Sequence, residues 1–167
     1  MSMPVAPLLV LGWGNPSRGD DALGPMLVHA LEHHVALALP AGQVDCLTDY
    51  QLQIEHALDL AGRERVLFVD AAVGLDEPCA IRAVQPQRSR HYSSHALSPE
   101  ALLQVYVDLH HCEPPPCTVL AIRGRRWGLG EVPDAQAQAD LAQAQAWATG
   151  WLLGSPQCCA RNKGVIG

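Results

Sequence analysis

LLVLGWGNPSRGDDALGPMLVHAL, residues 8–31, decides the fold because its apolar pattern changes period within one short stretch. Leu8, Leu9, Val10 and Leu11 form a continuous apolar run, which suits a strand covered on both faces of a parallel sheet. Gly12, Gly14 and Gly19 then punctuate a turn that carries two adjacent carboxylates, Asp20 and Asp21. From Ala22 onward Leu23, Met26, Leu27, Ala30 and Leu31 recur at helical spacing. The carboxylates therefore sit where a strand's carboxyl end meets a helix's amino end, the usual place for a site in an open α/β sheet.

The later segments repeat this alternation. Residues 43–47 make a weak second strand, and residues 51–60 are expected to form a helix with Leu52, Ile54, Ala57, Leu58 and Leu60 on its apolar face, ended by Gly62. Residues 65–70, RVLFVD, are the cleanest strand; their apolar density predicts a central position and Asp70 closes them. Residues 79–84 alternate as a fourth strand, and the short connection before them leaves no room for a helix, so an antiparallel neighbour or an edge is expected. Residues 85–97 are polar and histidine-bearing, a surface loop. Ser98 and Pro99 are an N-cap and a first helical residue, with Leu102, Leu103, Tyr106 and Leu109 as the buried stripe. Residues 117–122 form a fifth strand, residues 123–132 a glycine- and arginine-rich loop, and a last helix runs from Asp134 to about Leu153. The expectation is one α/β domain over residues 1–154, a three-layer α/β/α sandwich with a mainly parallel five-stranded sheet, and a mobile tail over residues 155–167.

Composition narrows the function. The 167 residues match the size of a single domain. No run reaches the roughly 18 to 20 apolar residues of a membrane span, and the start lacks a basic n-region and a small-residue cleavage pattern. A formal net charge of −6 disfavours nucleic acid and anionic membrane as partners. Six cysteines without a CxxC pair fit a reduced, cytoplasmic protein.

Asp21 and Asp70 both end strands or begin the loops after them, so a parallel sheet would bring them to one edge. His95, in the loop before the Ser98 helix, is the third candidate, and two carboxylates with an imidazole suit a divalent transition metal. Strand-end aspartates also serve as caps and turn formers; Asp20 is the alternative to Asp21 as the functional carboxylate, with capping of the first helix its expected role, and His91 lies close enough to His95 to stand in for it. Gly12-x-Gly14 fails the GxGxxG spacing, and carboxylates at the turn would repel a pyrophosphate. His29 and His33 lie off the apolar stripe and are expected in solvent. No GxSxG or activated cysteine is present, so metal or carboxylate chemistry is the route open to a hydrolase. Arg125 and Arg126, with Trp127, are the candidate substrate-binding residues, able to grip an acidic or C-terminal peptide, although a solvated loop is the reading the residues favour.

The chain resembles the hydrogenase maturation proteases, the endopeptidases of [NiFe] hydrogenase large subunits. LLVLGWGNPSRGDDALGPMLVHAL, RVLFVDAAVG, SSHALSPEALLQVY, VLAIRG and GLGE carry the resemblance in the family's order. TDYQLQIEHALDL and HALSPEALL look most like the branch serving NAD-reducing, soluble hydrogenase. The resemblance implies a cytoplasmic, monomeric peptidase that removes a C-terminal extension from the nickel-loaded large subunit precursor, with nickel supplied by that precursor and no organic cofactor. Matched by position, Asp21, Asp70 and His95 are its metal-binding set and Asp21 and Asp70 its catalytic carboxylates. Asp21 stands where Glu is more frequent, and residues 47–50, LTDY, replace a glycine-rich turn. A metal-binding chaperone of the same precursor and a nucleotide-binding α/β protein are the alternatives.

Overall fold

The computed structural model describes residues 3–88 and 97–154. Among them, five strands form one sheet: β1 (Leu8–Trp13), β2 (Val44–Asp49), β3 (Arg65–Ala72), β4 (Cys79–Val84) and β5 (Cys117–Arg123). Their order across the sheet is β2-β1-β3-β5-β4. β2, β1, β3 and β5 are parallel neighbours, and β4 pairs antiparallel with β5. The apolar run of β3 thus lies at the centre, and the strand after the short connection is the antiparallel edge.

The helices are α1 (Leu23–Ala38), α2 (His56–Asp59), α3 (Pro99–His110) and α4 (Ala135–Leu153), with a 3-10 turn at Gly19–Ala22 leading into α1. α1 and α4 cover one face of the sheet, packing Leu23, Leu27, Leu31, Leu141, Ala144 and Ala148 on Val10, Leu67, Val69, Leu120 and Ile122. α2 and α3 cover the other, packing Ala57, Leu102, Leu103 and Tyr106 on Leu9, Leu11, Phe68, Cys117 and Val119. A central sheet whose strands face helices on both sides must be apolar at every position, which is why β1 is buried along its whole length. The three-layer, mainly parallel sandwich expected from the sequence is the fold observed. No described helix is long and apolar enough to cross a membrane.

Two local expectations are corrected. The helix predicted over residues 51–60 is a single turn. The Gln53 amide donates to the side chain of His56, at Nδ1, at 2.8 Å just ahead of that turn, and Ile54 and Leu58 stay largely exposed, so the apolar face that a longer helix would bury has nothing to pack on. Leu109 is exposed as well, since the buried stripe of α3 ends at Tyr106. The caps of α3 and α4 follow the sequence: Ser98 Oγ accepts from the Ala101 amide, and an Asp134 oxygen from the Ala137 amide. His29 is exposed beside Glu32 on the outer side of α1.

Candidate active site

At the carboxyl edge of the sheet, β1 runs out into Gly14 and the turn bearing Asp21. Gly14 has φ +144°, and a Cβ on it would lie 2.0 Å from the Asp21 carbonyl oxygen, so only glycine lets the turn fold back this tightly. The fold-back fixes the carboxylate: Asn15 N–H donates to Asp21 Oδ2 at 2.6 Å.

Asp70 enters from the adjacent strand. β1 pairs with β3 through Gly12 and Val69, so Trp13 and Asp70 follow as the next pair, on the face covered by α3. The Ala71 amide donates to Asp70 Oδ1 at 2.8 Å, and the Trp13 indole also hydrogen-bonds this carboxyl. Burial nevertheless pushes the pKa of Asp70 up to about 7; the two hydrogen bonds work against the rise, and the nearby charge of Asp21 adds to it. The fold therefore places Asp21 close enough to Asp70 for its charge to be felt there. A carboxyl group poised near neutrality can both take up and release a proton.

Asp70 opens onto a cleft of about 260 Å³ on the α3 face, lined also by Trp13, Ala72, Leu75, Ala80, Arg82, Pro99, Val119 and Ala121. A larger cavity of about 360 Å³ sits beside edge strand β2, between residues such as Glu32, Cys46 and Arg63. It contains none of the candidate residues, and its Cys46 thiol is pushed up to about 11 by burial, with help from Glu32 and Asp45, which leaves it unreactive at neutral pH.

His95 lies outside the described residues, as do the tail residues 155–167. No group of three or more metal-ligating side chains occurs among the described residues. Arg125 reaches the buried carboxylate of Asp140 at 3.2 Å, and Arg126 lies near Glu131 at 3.6 Å and Asp134 at 4.0 Å. Both guanidinium groups remain partly exposed beside the Asp21 turn.

Asp20 does not cap the helix. α1 starts after Ala22 with no side-chain cap, and Asp20, fully buried, reaches the loop after β5. Its Oδ2 accepts from the amides of Arg125 at 2.8 Å and Arg126 at 3.1 Å, while its own N–H donates to the Arg126 carbonyl at 2.7 Å. Gly19, at φ +54°, has no room for a Cβ against that same carbonyl oxygen, 2.2 Å away. Gly19 N–H also donates to Glu131 O, and Gly130 N–H to Ser17 O. The turn that presents Asp21 is thus locked to residues 123–132.

Sequence reasoning missed a second pair at this edge. Asp49 closes β2 level with Trp13, and its Oδ2 lies 3.3 Å from His56 Nε2. Because His56 Nδ1 accepts from the Gln53 amide, the neutral ring carries its proton on Nε2, facing Asp49. The available signal is the one that points to Asp70, a carboxylate at a strand end, but the apolar pattern of the second strand fades at residue 47, two positions before Asp49.

No protein-family model matches this sequence, and none of the curated proteins does. Solved structures do match it. The hydrogenase maturating endopeptidase HybD from E. coli superposes with a TM-score of 0.69 at 22% identity, covering 88% of this chain and 92% of that one. The [NiFe] hydrogenase maturation protease HycI from Thermococcus kodakarensis KOD1 gives 0.67 at 19% identity, over 87% and 92%. A hydrogenase 2 maturation peptidase from a Thaumarchaeota archaeon gives 0.60 at 21%, over 87% and 97%. This chain has the fold of the [NiFe] hydrogenase maturation proteases.

Proposed function

We propose that this chain is a cytoplasmic, monomeric endopeptidase that removes the C-terminal extension of a nickel-loaded [NiFe] hydrogenase large subunit precursor, on the branch serving NAD-reducing soluble hydrogenase. The observation that carries the reading is Asp70, lining an open cleft at the carboxyl edge with the charge of Asp21 within electrostatic range, in a fold whose solved examples include such endopeptidases. Nickel is part of the substrate in this reading. Asp21, Asp70 and His95 offer two carboxylates and an imidazole, a donor set suited to a divalent transition metal. Engagement of nickel already seated in the precursor would fix the scissile bond against the cleft, so that only metal-loaded precursor is positioned for cleavage.

The chain's own groups then do ordinary acid–base work. Asp70, ionised in a substantial fraction of molecules near pH 7, accepts a proton from the attacking water and can return it to the departing amine. The Trp13 and Ala71 hydrogen bonds hold its carboxyl in place during both transfers. Arg125 and Arg126 flank the same turn, paired with Asp140 and Glu131 but still partly exposed, and are the groups that would meet an acidic or C-terminal peptide in this reading.

Incubation with precursor before and after nickel loading, read by intact mass, tests the proposal. The wild-type chain is expected to shorten only the loaded precursor, and Asp21→Asn to leave it intact while keeping a wild-type circular dichroism spectrum. Undiminished cleavage by that variant would remove Asp21 from the mechanism. Tight binding of precursor without shortening by the wild type would show a recognition module instead of a peptidase.

A further inference from the structure

The cleft beside Asp70 is built by small residues in register on three adjacent strands. Asp70 of β3 pairs with Ala121 of β5, which pairs with Ala80 of β4, so a carboxylate and two methyl groups form one row across the α3 face of the sheet. The next row toward the core is Phe68, Val119 and Arg82. Above these rows stand Pro99 at the first position of α3 and Leu75 from the β3–β4 connection. Proline contributes no amide, so that wall offers no backbone donor at this position. Arg82, paired with Glu100 of α3, closes the side remote from Asp70. Any larger side chain at position 80 or 121 would fill the space; with alanine at both, an apolar recess stays open directly next to the proposed catalytic carboxyl.

We infer that this recess is the specificity pocket of the site and takes one apolar aliphatic side chain of the substrate polypeptide, from a residue flanking the bond that is cut. The inference rests on the peptidase reading above and extends it to the substrate's sequence. Its volume of about 260 Å³ lies just below the range of roughly 300 Å³ and upward found for pockets that hold whole small-molecule ligands, and leaves ample room for one aliphatic side chain. Its continuity with Asp70 places that side chain beside the reacting bond. A charged side chain would be desolvated there against alanine, valine and proline, with only the engaged Arg82 and Asp70 to answer it.

The test uses nickel-loaded precursor in which each apolar residue flanking the processed bond is replaced in turn by alanine, with kcat/KM measured for the wild-type chain and for Ala121→Leu. One replacement is expected to cost the wild type about 10- to 200-fold, the range for lost methylene groups in an apolar pocket. Ala121→Leu, its recess filled, is expected to cleave the natural precursor at least about 10-fold more slowly and to lose the discrimination between that precursor and the alanine one. Loss of discrimination is a readout that general damage to the fold would not produce. Ala80→Leu repeats the experiment from the neighbouring strand should Ala121→Leu fail to fold. Equal rates of the wild type on every precursor, or full discrimination retained by the filled variants, would overturn the inference while leaving the peptidase reading in place. A wild-type chain that cleaves none of them overturns both.

Discussion

Replacing Asp70 by asparagine should make the protein more stable at alkaline pH and not at acid pH. In the folded chain burial, opposed by the Ala71 and Trp13 hydrogen bonds and reinforced by Asp21, raises the carboxyl from 3.8 to about 7. Between those values the folded chain keeps a proton that the unfolded chain has released, so stability declines as pH rises through that window. The contribution of the neutral carboxyl is complete below pH 3.8 and gone above about 7. Three pKa units at ~1.36 kcal/mol each amount to about 4 kcal/mol of strain carried by the ionised form. Asparagine never ionises, but its amide group cannot accept both hydrogen bonds as a carboxylate does, a loss of about 1 kcal/mol. Asp70→Asn is therefore expected to gain about 3 kcal/mol at about pH 8, or roughly 6 to 12 °C in Tm for a chain of this size, and to be neutral or slightly destabilised at about pH 4. Urea unfolding of both proteins at the two pH values, with chelator present to keep carboxylates metal-free, measures the difference. A variant less stable than wild type at pH 8, or a difference independent of pH, would refute the assignment of a strained carboxylate at this position.

Two further substitutions test the framework around the site. Asp20→Ala strands the buried amides of Arg125 and Arg126 and should cost about 2 to 4 kcal/mol in denaturant unfolding, with Asp20→Asn losing less because one oxygen still accepts. Asp140 is fully buried on α4 and bound by Arg123 at 3.0 and 3.1 Å, by Arg125 and by Gln136. Burial works to raise its pKa, but these partners outweigh it and the net shift is downward, so its contribution is present at neutral pH and lost on acidification. Asp140→Ala should cost about 1 to 3 kcal/mol at neutral pH by chemical denaturation, because the Arg123 and Arg125 groups it leaves behind reach solvent, and pairing Asp140→Leu with Arg123→Met should recover part of it.

Local pattern along the chain is enough to place a strand at residues 8–11 and another at 65–70, the turn between β1 and α1, the caps at Ser98 and Asp134, and Asp21 and Asp70 at one edge of the sheet. All follow from local pattern: apolar runs mark buried strands, side-chain oxygens cap the helix starts, and in a parallel sheet every strand delivers its last residue to the same edge. Tertiary structure alone decided the rest. Asp20 has the sequence position of a cap, yet its partners are amides 105 and 106 residues further on. The helix expected over residues 51–60 is one turn, with His56 set against Gln53 and Asp49, an arrangement that depends on where β2 ends. The recess beside Asp70 is written nowhere along the chain, because Ala80 and Ala121 become its floor only when β4 and β5 pair in register with β3. Local periodicity records which way a residue faces; what it faces depends on contacts between segments far apart in the chain.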